Sequence, residues 1–118
     1  MVASALELVL IAEVRPLLAA GDAALPPFTP REWAYARSKR DTDKRLAARL
    51  AAKRAAARLL GIPEQDVEVE RGRFGPPRVL LSDRGEERLR ALGATRVLVS
   101  LTHGETHAAA SVLLTRDD

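Results

Sequence analysis

The sequence predicts one small α+β domain, an antiparallel sheet packed against one long helix and several short ones. Three observations carry this: strand-length apolar runs near both ends of the chain, a long helically spaced stretch in its middle, and a second half in which alternating segments flank one short helix. No repeat or low-complexity linker divides residues 1–118. The run Ala5-Leu6-Glu7-Leu8-Val9-Leu10-Ile11 is short, apolar and bounded by polar residues, which fits a buried strand at least as well as a helix. After Arg15-Pro16 a helical turn is expected to reach Ala20 and stop at Gly21, with a loop from Ala23 to Pro30.

Thr29-Pro30-Arg31-Glu32 is the strongest local signal. Thr29 can accept the Glu32 amide hydrogen, Glu32 can reach back to the Thr29 amide, and Pro30 sits where its missing N–H costs nothing, so a helix should start here and reach about Ser38. A longer helix fits Asp43 to Leu60, ended by Gly61-Ile62-Pro63. At about 100° per residue it carries Leu46, Leu50, Lys53, Ala57 and Leu60 on one stripe, with Arg54 at its edge. Two cations therefore lie on or beside a face that should be buried. Either both stems snorkel to water or both line a site at the rim of the core.

Val67-Glu68-Val69-Glu70 alternates with period two, Gly72 to Pro77 supplies turn residues, and Val79-Leu80-Leu81 resumes the apolar run, which predicts a hairpin. Asp83 to Leu92 has the spacing of an exposed helix with Leu89 and Leu92 inward and Gly93 as its stop. Val97 to Leu101 and Ala108 to Leu114 complete the strands.

Composition narrows the function. The chain has no cysteine, so it offers no disulfide framework, thiolate metal cage or Cys nucleophile. At 47% hydrophobic residues it is too apolar for disorder, and its longest apolar runs fall short of the roughly 20 residues a membrane helix needs. Glu7 and Glu13 bracket the apolar stretch near the start and no basic segment precedes it, so a cytoplasmic protein without a signal peptide is expected. The net charge of +3 hides an asymmetry: Arg31 to Arg58 holds ten basic and three acidic residues, or +7, against −4 elsewhere. Such a block suits an acidic partner or phosphate; the plainer alternative is an arginine-rich solvated helix.

Single motifs do not name a chemistry. His103 and His107 stand four apart, but across a Gly104 turn between strands rather than on one helix face. Gly72-Arg73-Phe74-Gly75 is a weak phosphate-loop candidate beside its reading as a hairpin turn, and no Gly-x-Ser-x-Gly elbow is present. Trp33 and Tyr35 read as core anchors.

In order, however, the segments resemble the holo-acyl-carrier-protein synthase group of the 4'-phosphopantetheinyl transferases over most of the chain. The resemblance rests on Glu7-Leu8-Val9-Leu10-Ile11, Phe28-Thr29-Pro30-Arg31-Glu32, Leu50-Ala51-Ala52-Lys53-Arg54-Ala55-Ala56-Ala57 with Leu60-Gly61, Val67-Glu68-Val69, Gly75-Pro76-Pro77, and Ser100-Leu101-Thr102-His103 with Ala108 and Ala110. It implies an α+β fold assembling as a homotrimer with sites at subunit interfaces. It also implies transfer of phosphopantetheine from coenzyme A to a serine of an acyl carrier protein, with Mg²⁺ bridging the pyrophosphate. By the same resemblance Lys53 and His103 are the catalytic candidates, Lys53, Arg54 and His103 the coenzyme A or phosphate contacts, and Arg45 and Arg49 the carrier-docking residues. Glu7 takes the place of the first metal carboxylate and Arg54 that of the second. A cation held by Glu7 beside Arg54 would be held weakly, because like charges a few ångströms apart repel. Two other readings follow: a non-catalytic relative that binds carrier protein or coenzyme A, and a fold whose basic helix binds nucleic acid. The last lacks aromatic stacking residues near its basic run.

Overall fold

In a computed structural model the chain is described over residues 1–20, 27–71 and 75–117. The expected stop at Gly21, most of the loop before Pro30, and the Gly72–Phe74 part of the hairpin turn and phosphate-loop candidate lie outside the described residues. The chain runs β1 (Ala3–Leu10), a 3-10 turn (Ile11–Glu13), α1 (Arg15–Ala20), α2 (Pro30–Arg37) and α3 (Thr42–Leu60). A second 3-10 turn (Glu64–Asp66), β2 (Val67–Arg71), β3 (Pro77–Leu81), α4 (Asp83–Ala91), β4 (Arg96–His103) and β5 (His107–Thr115) follow. The strands form a three-stranded antiparallel sheet ordered β1-β5-β4 and a two-stranded antiparallel sheet β2-β3. The α+β expectation holds, with Ile11 leaving the strand one residue earlier than expected to begin the 3-10 turn.

Helix α2 begins as its sequence dictates. Thr29 is its N-cap, its Oγ1 accepts from the Glu32 amide at 3.3 Å, and Glu32 Oε1 accepts from the Thr29 amide at 2.9 Å, closing the capping box with Pro30 in the first turn. The Trp33 ring is buried against Phe28 at 6.0 Å between centroids, as a core anchor should be.

Helix α3 is the spine of the domain. Seven of its alanines (47, 48, 51, 52, 55, 56 and 57) are buried with Leu46, Leu50 and Leu60, so it is enclosed on nearly all sides. Small side chains here let the sheet and α2 approach the helix axis closely. Its first half packs with Val9, Ile11, Val14, Phe28 and Trp33, its second half with Val67, Leu89, Val112 and Leu114. Gly61 ends it in the left-handed conformation at φ 68°, which glycine adopts without a Cβ penalty, and its amide donates to Ala57 O.

Helix α4 is capped by Ser82, whose Oγ accepts from the Gly85 amide at 3.1 Å. Gly85 is required for packing: a Cβ there would stand 2.9 Å from Leu81 Cβ and 3.2 Å from Ile62 Cδ1. Leu89 is buried as expected, but Leu92 is not, remaining 38% exposed. The helix ends at Ala91, so Leu92 belongs to the turn into Gly93 and leaves the inward stripe.

Strict alternation in the three-stranded sheet turns Val9, Ala108, Ala110, Val112 and Leu114 toward α3. The opposite face carries Leu6, Leu8 and Leu10 of β1 and Leu98 of β4, all exposed, with Leu6 and Leu8 at 69% and 63%. Across the ladder Leu6 pairs with Ser111, Leu8 with Ala109, and Leu113 with both Ser4 and Leu98. No helix among the described residues is long and apolar enough to cross a membrane.

Candidate active site

Helical spacing sorts the cations of α3 beyond Lys44 into two rows. Arg45, Arg49 and Lys53 follow one another at four-residue intervals, and Arg54 and Arg58 form a second row about 100° around the axis. Each row meets different neighbours, and the chemistry separates accordingly.

Lys53 ends the first row inside the core. Its side chain is fully buried, its Nζ lies 2.9 Å from Glu32 Oε1, and it also donates to the carbonyl of Val67. Glu32 is equally buried and its Oε2 accepts from the Val69 amide at 2.8 Å. One carboxylate thereby receives the Thr29 amide, the Val69 amide and the Lys53 ammonium, tying α2, α3 and β2 together. A fully buried ammonium is acceptable because it is both paired and hydrogen-bonded. This corrects the expectation that Lys53 snorkels to water, since its side chain is fully buried and both its partners are interior.

One turn earlier, Arg49 is also buried, at 2% exposure, with its guanidinium 4.0 Å from the centre of the Tyr35 ring. Its Nε and Nη2 have no hydrogen-bond partner among the described residues. Burial lowers its pKa from the ordinary arginine value, against the opposing influence of Tyr35 and Glu32. A guanidinium keeps its proton in proteins even so. Carrier docking, which the resemblance implies for Arg49, would fall to a side chain with almost no exposed surface outside the concavity it lines.

What Arg49 does face is a cavity of about 250 Å³ lined by Arg45, Ala48, Arg49, Arg71, Leu101, Thr102 and His103. The last three close the end of β4, Arg71 closes the end of β2, and Arg45 is half-buried at its wall. Arg45 Nε lies 3.2 Å from Asp41 Oδ1 and His103 Nε2 lies 3.9 Å from Asp41 Oδ2. Desolvation raises the Asp41 carboxyl, but the hydrogen bond from Arg45, its own backbone amide and the nearby charges of Arg45 and His103 outweigh it and hold it below the usual aspartate value. Three guanidinia and an imidazole thus converge on one concavity with a single carboxylate at its edge. Such a lining has the chemistry to take an anion. His107 lies outside it, with its Nδ1 2.8 Å from Thr106 Oγ1. Sequence reading brought Arg45, Arg49 and His103 forward but missed Arg71, whose place at the end of β2 gives no signal until the hairpin is placed against β4.

The second row points the other way. Arg54 Nη1 is 3.2 Å from Glu13 Oε2 and its Nε is 3.4 Å from Glu64 Oε1. Arg58 Nη2 donates to Leu6 O at 3.3 Å, and its Nη1 lies 4.0 Å from Glu7 Oε1.

No family model matches the chain. A holo-acyl-carrier-protein synthase of Moorella thermoacetica is 41% identical over 92 residues, covering 74% of this chain and 72% of that protein. The chain belongs to the holo-acyl-carrier-protein synthase family. A second synthase of this family, from Anaeromyxobacter sp. strain K, is 43% identical over 91 residues, covering 74% of this chain and 70% of that one. Among solved structures, the Neisseria meningitidis holo-acyl-carrier-protein synthase superposes with a TM-score of 0.83 at 22% identity, over 98% of this chain and 99% of that chain. The Helicobacter pylori synthase in complex with coenzyme A superposes with a TM-score of 0.75 at 17% identity, over 96% and 100%. At such identity these two establish the fold alone.

The Mg²⁺ that the family resemblance implies does not fit the residues present. A hard divalent cation needs several oxygen ligands, yet no group of three or more His, Asp or Glu able to hold a metal occurs among the described residues. Glu7 stands beside Arg58, and Glu13 and Glu64 both engage Arg54.

Proposed function

We propose that this chain transfers the 4'-phosphopantetheine arm of coenzyme A to a serine of an acyl carrier protein, with coenzyme A phosphates seated against Arg45, Arg49, Arg71 and His103. The observation that carries the assignment is the Arg49 guanidinium: buried, charged and with two nitrogens unpartnered among the described residues, it faces the cavity. An unsatisfied buried donor costs about 1–3 kcal/mol, more when charged, and a phosphate oxygen that pairs with it removes that cost. Arginine also suits phosphate through its planar, bidentate donor geometry.

In the transfer, the serine Oγ bonds to the phosphorus that bears the pantetheine arm. The bond from that phosphorus to the bridging oxygen breaks, 3',5'-ADP leaves with the electron pair, and the serine proton passes to a base. His103, at the cavity wall and beside Asp41, is that base. The cavity guanidinia offset charge on the departing phosphate. Lys53 acts as a positioning residue, because its pair with Glu32 fixes the helix turn that carries Arg49. The acidic carrier approaches over the α2–α3 connection, where Lys39 and Arg40 are exposed next to Asp41 and Arg45.

The test is incubation with coenzyme A and a panel of apo-carrier proteins, read by intact mass. A carrier that gains one phosphopantetheine arm is the expected result. No gain on any carrier would refute transfer, and thermal stabilisation by coenzyme A in that case would select the interaction-module reading.

The homotrimer that the resemblance implies is supported by the exposed Leu6, Leu8, Leu10 and Leu98 on one sheet face, an apolar surface of the kind that buries itself against a second copy. Leu8→Glu is expected to leave the fold intact, since the side chain already faces outward, and to yield a monomer in light scattering. An unchanged oligomer mass would remove this face from the interface.

A further inference from the structure

We infer that Arg54 is a built-in cation that fills the seat of a divalent metal, so that this chain binds coenzyme A without one. The inference rests on the transfer reading above and concerns what neutralises the phosphates in it.

Three acidic residues face the second row of α3: Glu7 on β1, Glu13 in the first 3-10 turn and Glu64 in the second. Glu13 and Glu64 come from segments on either side of α3 in sequence, and both converge on the Arg54 guanidinium at 3.2 and 3.4 Å. One turn along, Arg58 stands beside Glu7 and bonds the Leu6 carbonyl next to it. Each of these three carboxylates therefore already faces a guanidinium. A Mg²⁺ entering here must shed water reluctantly, displace Arg54 from two partners and then remain beside the displaced positive charge. The guanidinium never loses its proton and needs no such dehydration.

Coenzyme A does not depend on that ion for charge, because Arg45, Arg49 and Arg71 supply fixed positive charge in the cavity on the other row of α3. Arg54 and the anion cavity are thus two parts of one arrangement: carboxylates neutralised internally on one side, and phosphates met directly by arginine on the other.

Two binding measurements test this on the full chain. In wild-type protein the electron paramagnetic resonance signal of added Mn²⁺ is expected to stay that of the free aquo ion. Coenzyme A titrated calorimetrically should bind with the same affinity, within about threefold, in EDTA and in millimolar Mg²⁺. Arg54→Gln, which releases Glu13 and Glu64, is expected to bind Mn²⁺ at least about tenfold more tightly than wild type. Arg54→Lys, which keeps the charge, should remain like wild type. Tight Mn²⁺ binding by the wild-type chain, coenzyme A binding that needs Mg²⁺, or no gain of Mn²⁺ affinity in Arg54→Gln overturns the inference and leaves the transfer reading standing. Absence of coenzyme A binding in both buffers overturns the transfer reading instead, while the Mn²⁺ measurements still decide the role of Arg54.

Discussion

Glu32→Ala is expected to destabilise the domain by about 3–5 kcal/mol, measured as the loss in urea unfolding free energy followed by circular dichroism. Small domains hold only about 5–15 kcal/mol in total, so the variant should unfold at much lower urea or fail to accumulate folded. The cause is the Lys53 ammonium rather than the lost carboxylate alone. With Glu32 gone, Lys53 keeps one carbonyl partner, Val67 O, in a place with no solvent access. The Val69 amide loses its carboxylate acceptor at the same time, and the capping box of α2 opens. Removing both charges should cost less than removing one, because an apolar pair of similar volume leaves no uncompensated ion. Glu32→Leu combined with Lys53→Met is therefore expected to be more stable than Glu32→Ala. A Glu32→Ala unfolding free energy within about 0.5 kcal/mol of wild type would show that the pair contributes nothing measurable.

Arg49→Met should act in the opposite sense on stability and function. Its burial places a charge where desolvation is costly, and two of its nitrogens lack partners among the described residues. Methionine fills similar apolar volume without that charge, so the folded state is expected to be as stable as wild type or more so. Coenzyme A affinity should fall sharply. Hydrogen bonds to charged groups contribute about 1.5–3 kcal/mol each, which corresponds to a loss of about 10-fold to 150-fold for one contact. Arg49→Lys keeps the charge but not the planar fork, and should fall between the two. Calorimetric titration with coenzyme A beside thermal melting separates the effects. Arg49→Met with undiminished coenzyme A affinity would remove the cavity from the substrate site.

The parts of this architecture written in short spans of sequence were readable there. Thr29-Pro30-Arg31-Glu32 specifies its own helix start, Gly61 specifies the end of α3, and period-two alternation locates the strands. What was not readable depends on which segment covers which face. On pattern alone Lys53 is a long cation near a helix rim, and only the arrival of Glu32, 21 residues earlier in the chain, turns it into a buried pair. Arg49 looks solvated for the same reason until Tyr35 of α2 covers it. The amphipathic stripe also misleads on α3, since buried alanines around its circumference mean that no side is fully wet. The candidate site is thus visible as residues but not as a place: the resemblance assigns Arg45 and Arg49 to docking and His103 to chemistry, and the fold brings all three to one concavity with Arg71.

Because one uninterrupted helix carries two of the cavity arginines, the buried lysine and the guanidinia that face Glu13, Glu64 and Glu7, their mutual spacing is a property of α3 as a whole. Each residue inserted or deleted within 42–60 would rotate everything beyond it by about 100° and shift it by about 1.5 Å. That turns Lys53 away from Glu32 and drives bulk into positions where alanine admits the sheet. Change in this protein is therefore confined to exchanges of side chains at fixed positions, and an exchange at position 54 can alter the ions it tolerates without touching the length on which every other contact depends.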